Sequence, residues 1–385
     1  MSLMSSFIYA DHAATTPVHP AVLKAMLPCF SQQYGNPSSL YRLGRQAKAA
    51  LEQARESIAR CLGALPEEIF FTSGGSEGDN WAVKGMALAG KGAGKLHILT
   101  TAFEHPALLE SCKFLETQGY RVTYLPASPK GFVSPEQVEA AIDEDTCLVS
   151  IMYANNETGT IQPVQEIGAV CRNKGVPFHT DGVQAAGWLP INVQAQNIDL
   201  LTLSAHKLGG PKGAGVLYCK KGLSLHSLIQ GGKQEKGRRA GTENVAGAVG
   251  LAKALELTRQ NQARRCREVA AKRDWLEGQF SALPGCLING ADPRLPGHLN
   301  LSFPGVEGES LLLYLDAQGI AASSGSACSS GSGKPSHVLL ALGRSEKEAK
   351  GSLRLSIRED LSWEDCRRLA ETVKEAVTLL RYDAP

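Results

Sequence analysis

The run Ser204-Ala205-His206-Lys207-Leu208-Gly209-Gly210-Pro211-Lys212-Gly213 sets a lysine between an imidazole and a glycine pair, directly after the apolar stretch Leu200–Leu203. Partial desolvation at such a place favours the neutral amine, the form that attacks a carbonyl to give a Schiff base. Ser204 and His206 beside it suit a phosphate. A surface lysine in a glycine-rich turn fits the same letters. His179-Thr180-Asp181-Gly182-Val183-Gln184 puts a carboxylate at the end of another apolar stretch, where α/β sheets bind ligands. A buried carboxylate there keeps a pyridine nitrogen protonated, and Gln184 reaches a ring oxygen. A helix N-cap is the competing role for Asp181.

Ile69-Phe70-Phe71-Thr72-Ser73-Gly74-Gly75-Ser76-Glu77-Gly78-Asp79-Asn80 reads as strand, glycine turn and helix start. Unpaired N–H groups in a first helical turn bind anions, and Ser76 adds a hydroxyl. The spacing matches neither G-x-G-x-x-G nor the P-loop, which argues against dinucleotide or nucleoside triphosphate binding. In Glu104-His105-Pro106 the imidazole suits ring stacking and proton transfer, or a purely structural role. Asn156, in Ala154-Asn155-Asn156-Glu157-Thr158-Gly159, serves either a ligand or the turn.

Two further residues lie downstream. Cys328 stands in Ser323-Ser324-Gly325-Ser326-Ala327-Cys328-Ser329-Ser330-Gly331, among small polar neighbours typical of a mobile loop. Exposure with thiolate character makes a thiol a nucleophile; an inert surface cysteine is the bland alternative. Arg354, in Ser352-Leu353-Arg354-Leu355-Ser356, alternates with apolar residues. If buried, it needs an anion, which a substrate carboxylate or a structural salt bridge would supply.

These residues need elements to hold them. Seven short apolar runs qualify as strands: Ile69–Thr72, Leu96–Thr100, Val122–Leu125, Cys147–Ile151, Pro177–Thr180, Leu200–Leu203 and Gly215–Cys219. Most are apolar at successive positions, as strands buried on both faces of a parallel sheet are. Helical stripes alternate with them, at Trp81, Ala82, Gly85, Met86 and Ala89 and at Val164, Ile167, Val170 and Cys171. The pattern predicts an α/β fold with helices on both faces. One long charged helix is predicted over Ala246–Asp274, with Arg264, Arg265, Arg267, Lys272 and Arg273 on a solvated face. It would bridge to a second domain, as 385 residues suggest. An amphipathic helix is predicted near Trp363–Leu380.

A formal net charge of +2 gives no reason to expect nucleic acid or a membrane surface as partner. The ten cysteines show no C-x-x-C spacing, so no resident metal site is expected. With no apolar stretch of about 18 residues and no secretory signal, no membrane span is predicted and the cytoplasm is the expected location.

Taken in order, the motifs resemble those of the NifS/IscS-like cysteine desulfurases, within the class V aminotransferase-like enzymes that use pyridoxal 5'-phosphate (PLP). The resemblance runs from Tyr9-Ala10-Asp11-His12-Ala13-Ala14-Thr15-Thr16-Pro17 to about Arg358 and includes Arg239–Thr242. It implies fold type I: a large domain over residues 15–260 with a mainly parallel seven-stranded sheet, and a smaller α+β domain from 1–14 plus 261–385. It also implies roles. Lys207 would bind PLP covalently, Asp181 would face the pyridine nitrogen, and Gln184 and Asn156 would lie near the ring oxygen. His105 would stack and move protons. Gly75, Ser76, Ser204 and His206 would cradle the phosphate, with Thr242 reaching it from the partner subunit of a homodimer. Arg354 and Asn156 would hold the substrate carboxylate.

Cys328 would take sulfur from L-cysteine as a persulfide, leaving L-alanine, and pass it to an acceptor such as an iron–sulfur scaffold. Cys328 would also be able to ligate an iron–sulfur cluster transiently. A selenocysteine lyase or a class V aminotransferase is the alternative within the fold, and a non-enzymatic α/β ligand-binding protein the alternative outside it. Lys233 stands where the family usually has glycine, and Ser76 where many members have threonine.

Overall fold

The structure is a computed structural model and describes residues 7–325 and 334–382. Its strands, in chain order, are β1 (Ile8–Tyr9), β2 (Ile69–Thr72), β3 (His97–Thr101), β4 (Arg121–Leu125), β5 (Thr146–Ser150), β6 (Phe178–Asp181), β7 (Leu200–Ser204), β8 (Gly215–Cys219), β9 (Leu287–Asn289), β10 (His298–Ser302), β11 (Ile320–Ala321) and β12 (Ser352–Ser356).

Seven of them form one sheet in the order β2-β8-β7-β6-β5-β3-β4. Pairing is parallel except at β8, which runs against both its neighbours, β2 and β7. The residues explain why the strands read as apolar at successive positions. Phe70, Ile98, Leu148, Leu200 and Leu217 join the core on one face, with Trp81 and Met86 of the helix Gly75–Lys91. Their neighbours Ile69, Leu99, Val149, Leu201 and Val216 join the larger core on the other face, with Ile58, Leu62, Leu251 and Leu255. Side chains alternate across a strand, so a two-sided core needs apolar residues at both parities.

Polar residues inside this sheet pair across strands. His179, fully buried, has Nδ1 2.7 Å from Ser150 Oγ on β5 and Nε2 2.9 Å from Thr202 Oγ1 on β7. Burial pushes its pKa down to about 3, so the ring is neutral. Satisfied in this way, it costs the core little.

The helix expected over Ala246–Asp274 is two helices, Val245–Arg259 and Gln262–Ser281. Gln260 is extended and Asn261 is left-handed at φ 51°. Asn enters that region more readily than most residues, and neither glycine nor proline marks the break. The solvated face is also only partly so. Arg264 and Arg267 are exposed, but Arg273 is buried against Asp274 and the Leu295 carbonyl. Arg265 donates to the Gly187 and Thr258 carbonyls and lies 5.6 Å from the Trp188 ring centroid.

The downstream residues build an antiparallel sheet, β12-β10-β9, in which Arg354 lies opposite Asn300. The N-terminal segment returns to this part of the chain: β1 pairs in parallel with β11, and Asp11 bridges to Ser356. The final helix spans Trp363–Tyr382. Among the described residues, no helix is long and apolar enough to cross a membrane.

Candidate active site

The carboxyl ends of β3, β5, β6 and β7 converge on a cavity of about 240 Å³. Its lining includes Gly75, Ser76, His105, Asn156, Asp181, Gln184, Ser204, His206, Lys207 and Arg354, together with Asp79 and the Ala13–Ala14 backbone. This is the end of an α/β sheet at which ligands bind.

Lys207 ends a short turn that follows β7. Its Nζ donates to the Ala13 and Ala14 carbonyls at 2.5 and 2.6 Å. The turn is fastened by Thr16, which bonds the His206 carbonyl through both N–H and Oγ1 and accepts from Gly209 N–H at 2.8 Å. Gly209 has φ +80°, which only glycine adopts readily, so the chain can turn back after the lysine.

Asp181 ends β6 and accepts from Val183 N–H at 2.9 Å. Burial pushes its pKa up to about 6; that backbone bond and the Lys207 cation pull the other way. Asp79, on the helix after β2, is 1% exposed and has one carboxylate oxygen without a hydrogen bond. Burial and then the Asp181 charge hold it well above the carboxylate range. Glu104, also buried, is pushed up to about 8 by burial. It accepts from Thr101 Oγ1 and Met152 N–H.

His105 caps the helix Pro106–Thr117: its Nδ1 accepts from Ala107 N–H at 3.1 Å. Burial, then Lys207 and His337, hold its pKa down to about 4. The ring is therefore neutral near pH 7, and with Nδ1 accepting, its proton sits on Nε2. Gln184 Nε2 donates to the Ala13 carbonyl at 3.0 Å. His206 Nδ1 is 3.2 Å from Thr15 Oγ1, and burial lowers its pKa to about 4. Arg354, 1% exposed, gives Nη2 to Asp11 Oδ1 at 2.7 Å and Nη1 to the Asn156 carbonyl at 3.2 Å.

The donor set fits PLP. Asn156 Oδ1 is buried without a hydrogen-bond partner among the described residues, which marks a place for a ligand group. Buried Asp181 calls for a cation, which a protonated pyridine nitrogen brings. The helix Gly75–Lys91 opens on Gly74 with no side-chain cap, leaving its first N–H groups for an anion. A Cβ at Gly75 would stand 3.0 Å from Val183 Cγ2, closing the space beside that turn. There the cavity meets a shallower space lined by Ser73, Gly74, Lys212 and Gly213.

Two of the residues singled out by sequence are not among those described at this cavity. Thr242 lines a separate cavity with Arg239, Gly241 and Glu243. Cys328 falls outside the described residues. On either side of that segment, Ser336 Oγ donates to buried Glu157 at 2.5 Å, and Gly325 packs beside the same carboxylate. Lys233 is exposed and lines none of these cavities. Sequence reasoning passed over Asp79, Glu104 and Asp11. A charge among small residues in Tyr9–Pro17 was the one available hint for Asp11.

Known proteins resemble the chain over nearly its whole length. The "Cysteine desulfurase IscS" of Clostridium botulinum is 49% identical over 386 residues, covering 99% of this chain and 97% of that protein. The protein of the same name from Methanosarcina thermophila is also 49% identical, covering 100% and 95%. Among solved structures, a "NifS-like protein" superposes with a TM-score of 0.91 at 37% identity, covering 97% of this chain and 100% of the other. One described as "SspA in complex with cysteine" gives 0.81 at 39%, covering 91% and 99%. The model of the class-V aminotransferase family matches residues 8–369, and the chain belongs to that family.

Proposed function

We propose that the protein is a PLP-dependent cysteine desulfurase, which converts L-cysteine to L-alanine and carries the sulfur away as a persulfide on Cys328. The observation that carries this is the meeting of Lys207, Asp181 and Arg354 in one cavity: an amine, an acid and a carboxylate-binding fork. Relatives about half identical over the whole chain bear the name of that activity.

When bound, PLP supplies an electrophilic carbonyl and a sink for the electrons left when the substrate α-proton departs. Lys207 would hold it covalently and then move the proton at the substrate α-carbon. Lys207 is preferred to His105 as the base, because the helix cap leaves His105 with N–H at Nε2. Asp181 would pair with the ring nitrogen. Gln184 and Asn156 would bond the ring oxygen, and His105 would lie on the ring face. Gly75, Ser76, Ser204 and His206 would cradle the phosphate. Arg354, with Asn156, would fix the substrate carboxylate.

The Cys328 thiolate would attack the substrate sulfur. The new S–S bond forms as Cβ–S breaks; the released electron pair at Cβ takes a proton, giving alanine. An acceptor, an iron–sulfur scaffold in this proposal, then takes the terminal sulfur.

A homodimer and a cytoplasmic location belong to the same proposal, as does a two-domain division near Asn261. The large exposed side chains of Leu27, Phe30, Tyr34, Leu40 and Tyr41 favour a partner surface. Thr242, in its separate cavity, is assigned to the second subunit's phosphate.

The test is incubation with cysteine and a reductant, measuring alanine and sulfide together. Equal yields are expected. Cys328→Ser should keep the yellow cofactor and lose sulfide release by about 100-fold or more. Undiminished sulfide from that variant would overturn the assignment.

A further inference from the structure

Arg354 is almost wholly buried, and a guanidinium at that depth needs an anion. In this protein the anion is Asp11, bound through one carboxylate oxygen at Nη2. Nη1 is taken by the Asn156 carbonyl, and Nε has no partner among the described residues. The fork is thus engaged at two nitrogens and still carries an unsatisfied N–H.

Asp11 cannot drift far from this place. Two residues before it, Tyr9 pairs with Ala321; its own backbone bridges to Ser356; two residues after it, Ala13 N–H donates to Ser356 Oγ at 2.8 Å. The Ala13 carbonyl in turn receives Lys207 and Gln184. The charge on Asp11 is therefore fixed relative to both the lysine and the arginine.

We propose that Asp11 is a positioning residue that sets the orientation of Arg354 and weakens its hold on the substrate α-carboxylate. The proposal rests on the reading of Arg354 as the carboxylate clamp. The bonds to Asp11 and to the Asn156 carbonyl together fix the plane of the fork, so the remaining N–H groups have one orientation. The Asp11 charge also offsets the guanidinium before substrate arrives. An incoming carboxylate then meets a cation already half neutralised, with a second negative charge close by. Substrate would be recognised by the geometry of its carboxylate, without the tight retention that a bare buried cation would impose on both cysteine and alanine.

The experiment separates charge from oxygen. Asp11→Asn keeps an acceptor for Nη2 and removes the charge, whereas Asp11→Ala removes both. In the holoenzyme, KM and kcat are measured with L-cysteine and with cysteamine, which lacks the carboxylate. Binding of L-alanine and of ethylamine is measured by calorimetry.

Asp11→Asn is expected to lower the cysteine KM and the alanine Kd by about 10-fold. Cysteamine and ethylamine should stay within about 2-fold. Asp11→Ala is expected to raise the cysteine KM by about 10-fold, again sparing cysteamine. If the alanine variant folds poorly, Asp11→Asn decides alone. Equal shifts for ligands with and without the carboxylate would show a merely structural role and overturn the proposal. If the unmutated enzyme does not prefer alanine to ethylamine, the Arg354 reading falls and takes this one with it. If it does prefer alanine and Asp11→Asn leaves the preference unchanged, only the Asp11 proposal falls.

Discussion

The two walls of the cavity solve their charge in opposite ways. On the wall built by the seven-stranded sheet, Asp181 and Asp79 line the cavity and Glu104 lies close to Asp79; all three are buried carboxyls, and burial lifts the pKa of each. On the wall built by β12, Arg354 is as deeply buried but already paired with Asp11. Even with the Lys207 cation, the first wall is electrically unfinished until a ligand cation arrives; the second is balanced without any ligand. A cofactor meeting the first wall should stabilise the fold strongly, whereas a substrate meeting the second should bind loosely and leave readily.

The largest break in this contrast comes at Lys207. Lys207→Ala should lower activity by about 1,000-fold or more. Borohydride should no longer attach the cofactor to the chain, read by mass spectrometry. Trapping at another lysine would show that the first wall has been misread.

Next is the second wall. Arg354→Ala should raise the cysteine KM by about 100-fold with a smaller change in kcat. It should also cost about 2 kcal/mol of stability by leaving Asp11 unpaired, measured by denaturant melts. A kcat defect with unchanged KM would move Arg354 out of substrate binding.

Glu104 tests the unfinished wall by pH. Its carboxyl titrates near 4.5 in the ordinary state and near about 8 when folded, so the fold favours the protonated form. That contribution is complete below about 4.5 and is lost as pH rises through about 8. Glu104→Gln should match the parent protein near pH 5 and exceed it at pH 9 by about 4 kcal/mol, read from thermal midpoints. Parallel pH profiles for the two proteins would contradict it. The smallest effect is expected at Lys233→Gly, exposed and away from both walls, with stability changed by less than about 0.5 kcal/mol and kinetics unaltered.

The same contrast explains what could be read from sequence. All seven strands of the large sheet were legible to within a residue or two, because successive residues serve two cores. The residues that line the cavity follow within a few positions of the strand ends, so His105, Asn156, Asp181 and Lys207 could be picked out beside them. Asp79 could not. It lies in a helix of ordinary polar pattern, and the packing of that helix against the sheet, beside His179, buries it. Asp11 and Arg354 are 343 residues apart, and no local spacing joins them. The split at Asn261 was hidden for a related reason: a left-handed asparagine leaves hydrophobic periodicity intact on either side.

The N-terminal stretch has a geometric consequence of its own. Asp11 holds the arginine, Ala13 and Ala14 hold the lysine, and Thr15 and Thr16 hold the loop that carries it. Six consecutive residues thus act as a ruler laid between the lysine and arginine ends of the pocket. The spacing of those ends is set by covalent bond lengths over a few residues. Errors in the packing of the roughly 150 residues that lie between Lys207 and Arg354 along the chain need not accumulate there.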